Sequence, residues 1–221
     1  MTASASLPSA PNPFPELAPQ QLFSLQGQVV VITGAAGGIG GALARGFAAA
    51  GARLVACDVN PRVHELAAQW RESGMEVESM TFDLTREDEI AKAFAQIVER
   101  QGRVDVLINN AGVIVRTPFL ELKREEWQKV IDIDLTACFL MAQQAARLMV
   151  KQGGGRIIHL SSIMNHVARP NLVPYVSAKG GVSALTRAMA ADLGGTGVTV
   201  NALAPGYTQT EFSQAKDPEF N

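Results

Sequence analysis

Tyr175 and Lys179 stand four residues apart, and Ser162 precedes the tyrosine by thirteen. On a helix, positions i and i+4 share a face, so a phenol and an ammonium become neighbours there. An ammonium beside a phenol favours the phenolate. A tyrosine tuned in that way can exchange a proton with an alcohol or carbonyl oxygen near neutral pH. A serine hydroxyl at the end of a strand could hydrogen-bond the same oxygen. A bare Tyr-x-x-x-Lys pair is most often a plain surface pair, so its meaning depends on the rest of the chain.

A second group of residues gives it that context. The run Gln28–Thr33 (QVVVIT) leads straight into Thr33-Gly34-Ala35-Ala36-Gly37-Gly38-Ile39-Gly40 and then a helical pattern. Glycines permit close backbone approach, and a helix N-terminus offers free N–H groups to a phosphate. Strand before and helix after is the setting a dinucleotide site requires. Gly34, Ala36, Gly38, Ile39 and Gly40 are the expected pyrophosphate contacts. Asp58 ends the next strand, 18 residues after Gly40, where a carboxylate bonds the ribose 2′-OH. Its charge repels a 2′-phosphate, and Gly37 stands where a basic residue would attract one, so NAD is preferred. Arg62 leaves NADP open. Asp83, with Leu84 beside it, could take the adenine amino group. Asn110, Ala111 and Gly112 would pack against the adenosine half.

These residues need a frame, and the hydrophobic pattern supplies one. Strands are expected at 28–33, 52–58, 76–84, 104–112, 155–162 and 197–206, and helices at 39–51, 61–73, 86–102, 123–151 and 174–193. Apolar, β-branched strands alternating with helices predict an α/β fold, a Rossmann-type doubly wound parallel sheet with helices on both faces. Ligands bind such sheets outside the carboxyl ends of the strands, and every motif above falls at that edge.

Composition narrows the function classes. The 221 residues are 47% hydrophobic and 18% charged, with net charge −2, and mean hydropathy is +0.10. A disordered chain is excluded, and no basic field recruits nucleic acid or a membrane. The two cysteines, Cys57 and Cys138, suit a reducing compartment. Residues 1–24 read as a disordered tail, with five of the eleven prolines in the first twenty positions, and residues 25–221 as the domain. No signal peptide, transit peptide or membrane span is legible there, so a cytoplasmic protein is expected. His159 reads as a packed core residue, Trp70 and Trp127 as helix packing. His64 and His166 lack partners at ligand spacing, so no metal is expected.

The chain resembles the short-chain dehydrogenases/reductases. The family's Thr-Gly-x-x-x-Gly-x-Gly is met by Thr33, Gly34, Gly38 and Gly40, and its Asn-Asn-Ala-Gly by residues 109–112. Its serine is met by Ser162, its Tyr-x-x-x-Lys by Tyr175 and Lys179, and its Pro-Gly-x-x-x-Thr by Pro205, Gly206 and Thr210. The resemblance implies strand order 3-2-1-4-5-6, a homo-oligomer (tetramer or dimer), and hydride transfer between a nicotinamide and a carbonyl or secondary alcohol. It gives Lys179 a bond to the nicotinamide ribose and brings Thr208 to the carboxamide. It also implies about 45–50 further residues, with a lid and a seventh strand, beyond the point where this sequence stops.

One position departs from the family. Asp134 stands where the family has a catalytic asparagine, which holds a water largely through its main-chain carbonyl. Aspartate is expected to keep that carbonyl contact while its charge raises the Lys179 pKa and shifts activity with pH. Within the family the chain is similar to the gluconate 5-dehydrogenase branch, through Leu22–Leu25, Arg116, Ala168-Arg169, Pro174–Gly181, Leu185–Ala191 and Asp217–Phe220. Arg116 could clamp a substrate carboxylate, and Arg169 is a weaker candidate. A ketoacyl or steroid-like carbonyl, or a non-catalytic nucleotide-binding role, are the alternatives.

Overall fold

The computed structural model describes residues 23–210. The expected tail at 1–24 lies outside the described residues except for Phe23 and Ser24, as do Leu22 and the Asp217–Phe220 run.

Six strands form one parallel sheet: β1 (Val29–Thr33), β2 (Arg53–Asp58), β3 (Val77–Thr81), β4 (Val106–Asn109), β5 (Gly155–Leu160) and β6 (Val198–Leu203). Their spatial order is β3-β2-β1-β4-β5-β6, as expected. The helices are α1 (Gly38–Ala49), α2 (Arg62–Glu72), α3 (Glu87–Gln101), α4 (Arg124–Ile131), α5 (Ala137–Gln152) and α6 (Val173–Asp192). None of the described helices is long and apolar enough to cross a membrane.

β1 lies at the centre and all five of its residues are buried. Successive side chains point to opposite faces. Val29 and Val31 therefore pack with Ile90, Phe94 and Ile97 of α3 and Met141, Ala145 and Met149 of α5. Val30 and Ile32 pack on the other face with Ala44 of α1 and Val63, Ala67 and Trp70 of α2. Each such fully buried aliphatic side chain contributes about 1.5–3 kcal/mol. Two faces covered by helices explain why the strands read as continuous apolar runs. His159, in the middle of β5, is 0% exposed.

The structure corrects the element boundaries in one consistent way. β3 ends at Thr81 rather than residue 84, β4 at Asn109 rather than 112, β5 at Leu160 rather than 162, and β6 at Leu203 rather than 206. At each of these ends the ladder pairing stops and the chain leads into the cavity wall. The helix expected over 123–151 is also divided. α4 and α5 are joined by a π-helical turn, Asp132–Thr136. Such turns widen a helix by one residue and re-aim its side chains. Hydrophobic periodicity does not report them.

Candidate active site

A cavity of about 980 Å³ opens along the carboxyl ends of the strands. Every residue named from the sequence as a cofactor, catalytic or substrate contact lines it: Gly34, Ala36, Gly38, Ile39, Gly40, Asp58, Asp83, Leu84, Asn110–Gly112, Arg116, Asp134, Ser162, Tyr175, Lys179, Pro205, Gly206, Thr208 and Thr210. Asn109 does not. Its amide donates to the Cys138 carbonyl and faces His159 Nδ1, both at 3.1 Å, inside the core.

At the β1 end the walls are main chain. Gly34 adopts φ +66°, and a Cβ there would lie 2.8 Å from Ala111 Cα. A Cβ on Gly40 would run into the Gly34 carbonyl oxygen, and one on Gly38 would come within 2.7 Å of Thr210. α1 opens at Gly38 with no side-chain cap and no acidic residue in its first turn. Its N–H groups face the cavity unblocked, the arrangement an anionic pyrophosphate requires.

Thr33 ties this turn to the Asn-Asn-Ala-Gly loop, a role the sequence reading missed. Its Oγ1 accepts the N–H groups of Asn110 and Ala111, each at 3.1 Å. The Asn110 amide in turn donates to the carbonyls of Thr33 (3.0 Å) and Gly34 (3.2 Å). Asn110 thus holds the loop as well as lining the cavity. Asp58 also does local work: its Oδ2 accepts the Ala36 N–H and its Oδ1 the Asn60 N–H, both at 2.9 Å. Asp83 Oδ1 accepts from the N–H and hydroxyl of Thr85 at 2.8 Å, an Asx turn ahead of α3.

At the β5 end the walls are side chains. Pro174 in its first turn starts α6, which sets Tyr175 and Lys179 at the cavity. Gly181 lets α6 approach the π-helical turn, since a Cβ there would lie 2.7 Å from Leu135. Lys179 is 4% exposed. Its Nζ donates to the Leu160 carbonyl at 3.0 Å and pairs with Asp134 Oδ2 at 3.1 Å. It also lies 5.5 Å from the centroid of the Tyr175 ring. Burial works to lower the Lys179 pKa, but the Asp134 carboxylate overcomes it and holds the ammonium above its ordinary range. Burial holds the Asp134 carboxyl above its ordinary range, against the pull of Lys179.

Asp134 reaches Lys179 with its side chain rather than its main chain. Its carbonyl accepts the Cys138 thiol at 3.3 Å. Its Oδ1 accepts the Val113 N–H at 2.7 Å. The π-helical turn points the carboxylate itself at the lysine.

Ser162 is 8% exposed, with its hydroxyl accepting the Met164 N–H at 3.2 Å. Ser161 went unnoticed in the sequence, although the Ser-Ser doublet was visible. Its hydroxyl donates to the Lys179 carbonyl at 3.1 Å and meets Ser183 at 2.9 Å, which fixes the Ser162 strand end against α6. The loop carrying Arg116 is fastened to the start of α6 by the Thr117 N–H, which donates to the Asn171 carbonyl at 3.1 Å. Arg169, exposed, lines the same cavity.

The sequence profile of the short chain dehydrogenases matches residues 28–220. The chain belongs to that family. The 5-keto-D-gluconate 5-reductase of Escherichia coli is 38% identical over 195 residues, covering 88% of this chain and 77% of that protein. The crystal structure of a putative gluconate dehydrogenase from Agrobacterium tumefaciens superimposes with a TM-score of 0.87 at 42% identity. It covers 90% of this chain and 79% of that one. A gluconate 5-dehydrogenase from Burkholderia cenocepacia, solved with NADP and tartrate, superimposes with a TM-score of 0.87 at 37% identity, covering 91% and 80%. The protein is therefore an NAD(P)-dependent dehydrogenase/reductase.

Proposed function

We propose that this dehydrogenase interconverts a secondary alcohol and a ketone on a sugar acid of the gluconate type. In this reading Tyr175 transfers the proton, Ser162 holds the reacting oxygen, and Lys179 steadies the phenol and binds the nicotinamide ribose. The nicotinamide, when bound, supplies or accepts the hydride. The observation that carries the reading is one continuous cavity with Ser162, Tyr175 and Lys179 at one end and the uncapped α1 N-terminus at the other. Arg116 lines the same cavity, and its guanidinium can clamp a carboxylate in two parallel hydrogen bonds.

On the protein side the chemistry is positioning and proton transfer. Ser162 and Tyr175 address one oxygen, so a ketone is polarised from two donors. The cavity's buried back wall, with Lys179 at 4% and Asp134 at 0% exposure, keeps water from that side. Asp58 favours NAD, because its carboxylate disfavours a 2′-phosphate. Arg62 in the same cavity, together with the NADP-bound relative, keeps NADP as the second cofactor. Association into a dimer or tetramer is part of the same reading and is checked by light scattering.

A second substrate class has one observation in its favour. Ile163, Met164, Val167 and Leu172 line the cavity beside Ser162 and Tyr175, an apolar wall suited to a 3-ketoacyl chain. The deciding assay compares 5-ketogluconate with an acetoacetyl thioester, each with NADH and NADPH. Faster turnover of the sugar acid, with a KM raised about tenfold in Arg116→Ala, supports the first reading. Turnover of the thioester alone overturns it.

A further inference from the structure

Asp134 changes what the catalytic wall presents to Tyr175. Lys179 Nζ lies between two groups, the Asp134 carboxylate at 3.1 Å and the Tyr175 ring at 5.5 Å from its centroid. Asp134 is 0% exposed and its second oxygen is fixed by the Val113 N–H at 2.7 Å, so water cannot take it from the lysine. Gly112 leaves room for it: a Cβ at that residue would lie 2.9 Å from Asp134 Oδ2.

The other groups facing the pair add little charge. From α5, Cys138 stays a thiol, because burial pushes it up to about 12. From β5, His159 stays neutral, because burial pushes it down to about 4. From α6 there is Tyr175 itself. From the loop after β4 comes the Val113 N–H, with Arg116 farther along the same cavity. The charge nearest the Lys179 ammonium is therefore the Asp134 carboxylate. Opposite charges in contact act outward as a dipole, so much of the ammonium field at the phenol is cancelled.

We propose that Asp134 is a positioning residue that holds Lys179 and compensates its charge where the ammonium faces Tyr175. In carbonyl reduction the Tyr175 O–H bond breaks and its proton bonds to the substrate oxygen. The carbonyl carbon takes the hydride from the reduced nicotinamide, which leaves oxidised, and the C=O π pair moves onto the oxygen. The phenolate left behind is reprotonated from solvent before the next turnover. An asparagine in this place would leave the ammonium uncompensated and favour the phenolate, the form that accepts a proton in oxidation. The proposal rests on Tyr175 being the proton-transfer group.

The chain has only two tyrosines, so a Tyr207→Phe background isolates Tyr175 in an alkaline ultraviolet titration of the cofactor-free protein. Asp134→Asn is expected to bring the tyrosinate band in at a pH lower by about one unit or more. Asp134→Glu, which keeps the charge, is expected to stay with the parent, a rescue that a purely steric role would not give. Asp134→Ser serves as the neutral variant if the asparagine protein does not fold. A band that does not move, or moves to higher pH, overturns the proposal. So does a parent that already shows tyrosinate at neutral pH. In rate measurements with 5-ketogluconate, Asp134→Asn should move the alkaline limb of the kcat–pH profile to lower pH by about one unit, and Asp134→Glu should leave it in place. The titration needs no substrate. A shifted band without carbonyl turnover would count against the functional reading alone, and turnover with an unmoved band against this proposal alone.

Discussion

At the β1 end of the cavity the walls are main chain, held by Thr33 and Asn110 and kept open by glycines whose missing Cβ atoms would collide with neighbours. At the β5 end the walls are buried side chains, an ammonium and a carboxylate at 4% and 0% exposure. The difference follows from what each end must do. A pyrophosphate is a large anion that is satisfied by N–H groups, and any side chain there is an obstruction. A proton in transfer responds to charge, and charge acts strongly only where water is excluded. The first end should therefore be sensitive to added volume and the second to lost functional groups.

The largest effect belongs to the proton-transfer end. Tyr175→Phe is expected to lower kcat by about 10³-fold while leaving the affinity for NADH and NADPH within about twofold, measured by steady-state rates and tryptophan quenching. Retained turnover would remove Tyr175 from the chemistry.

His159 sets the next largest effect, on stability. Its folded pKa is held at about 4 against an ordinary 6.5, chiefly by burial. The unfolded chain therefore binds a proton that the folded chain does not between those values, and stability falls as pH drops from 6.5 toward 4. The full loss is about 3 kcal/mol. Denaturant unfolding at pH 7 and pH 4.5 should show this fall in the parent and a smaller one in His159→Gln. Equal falls in both would place the acid sensitivity elsewhere.

The main-chain end gives the smaller effects. Gly40→Ala puts a Cβ against the Gly34 carbonyl, and nucleotide Kd should rise about 100-fold. Thr33→Val keeps the shape but leaves the N–H groups of Asn110 and Ala111 without their acceptor. It should cost about 1–2 kcal/mol in denaturant unfolding. If Gly40→Ala bound nucleotide normally, the turn would have slack that its geometry denies.

Much of this was legible before any coordinates. The strand–helix alternation reports the parallel sheet because strands buried on both faces must be apolar throughout, as β1 is. The glycine turn was legible because its neighbours, a strand and a helix, are encoded locally. Strand ends were not: β3 and β6 stop where their pairing with β2 and β5 ends, at Thr81 and Leu203. Thr33 and Ser161 were visible only as letters; their bonds run to residues 77 and 18 positions away.

Asp134 draws that boundary most sharply. The sequence alone determined that a carboxylate replaces an amide in the helix after the Asn-Asn-Ala-Gly loop, and that a lysine lies four residues after a tyrosine. It also determined the order of strands and helices, because burial periodicity is a property of neighbouring residues. Which atom of Asp134 meets Lys179 was decided by the π-helical turn and by the closeness that Gly181 and Gly112 allow. That Lys179 keeps its charge was decided by its contact with Asp134, which overcomes burial. Both are properties of elements packed across the fold, so no local pattern of residues records them.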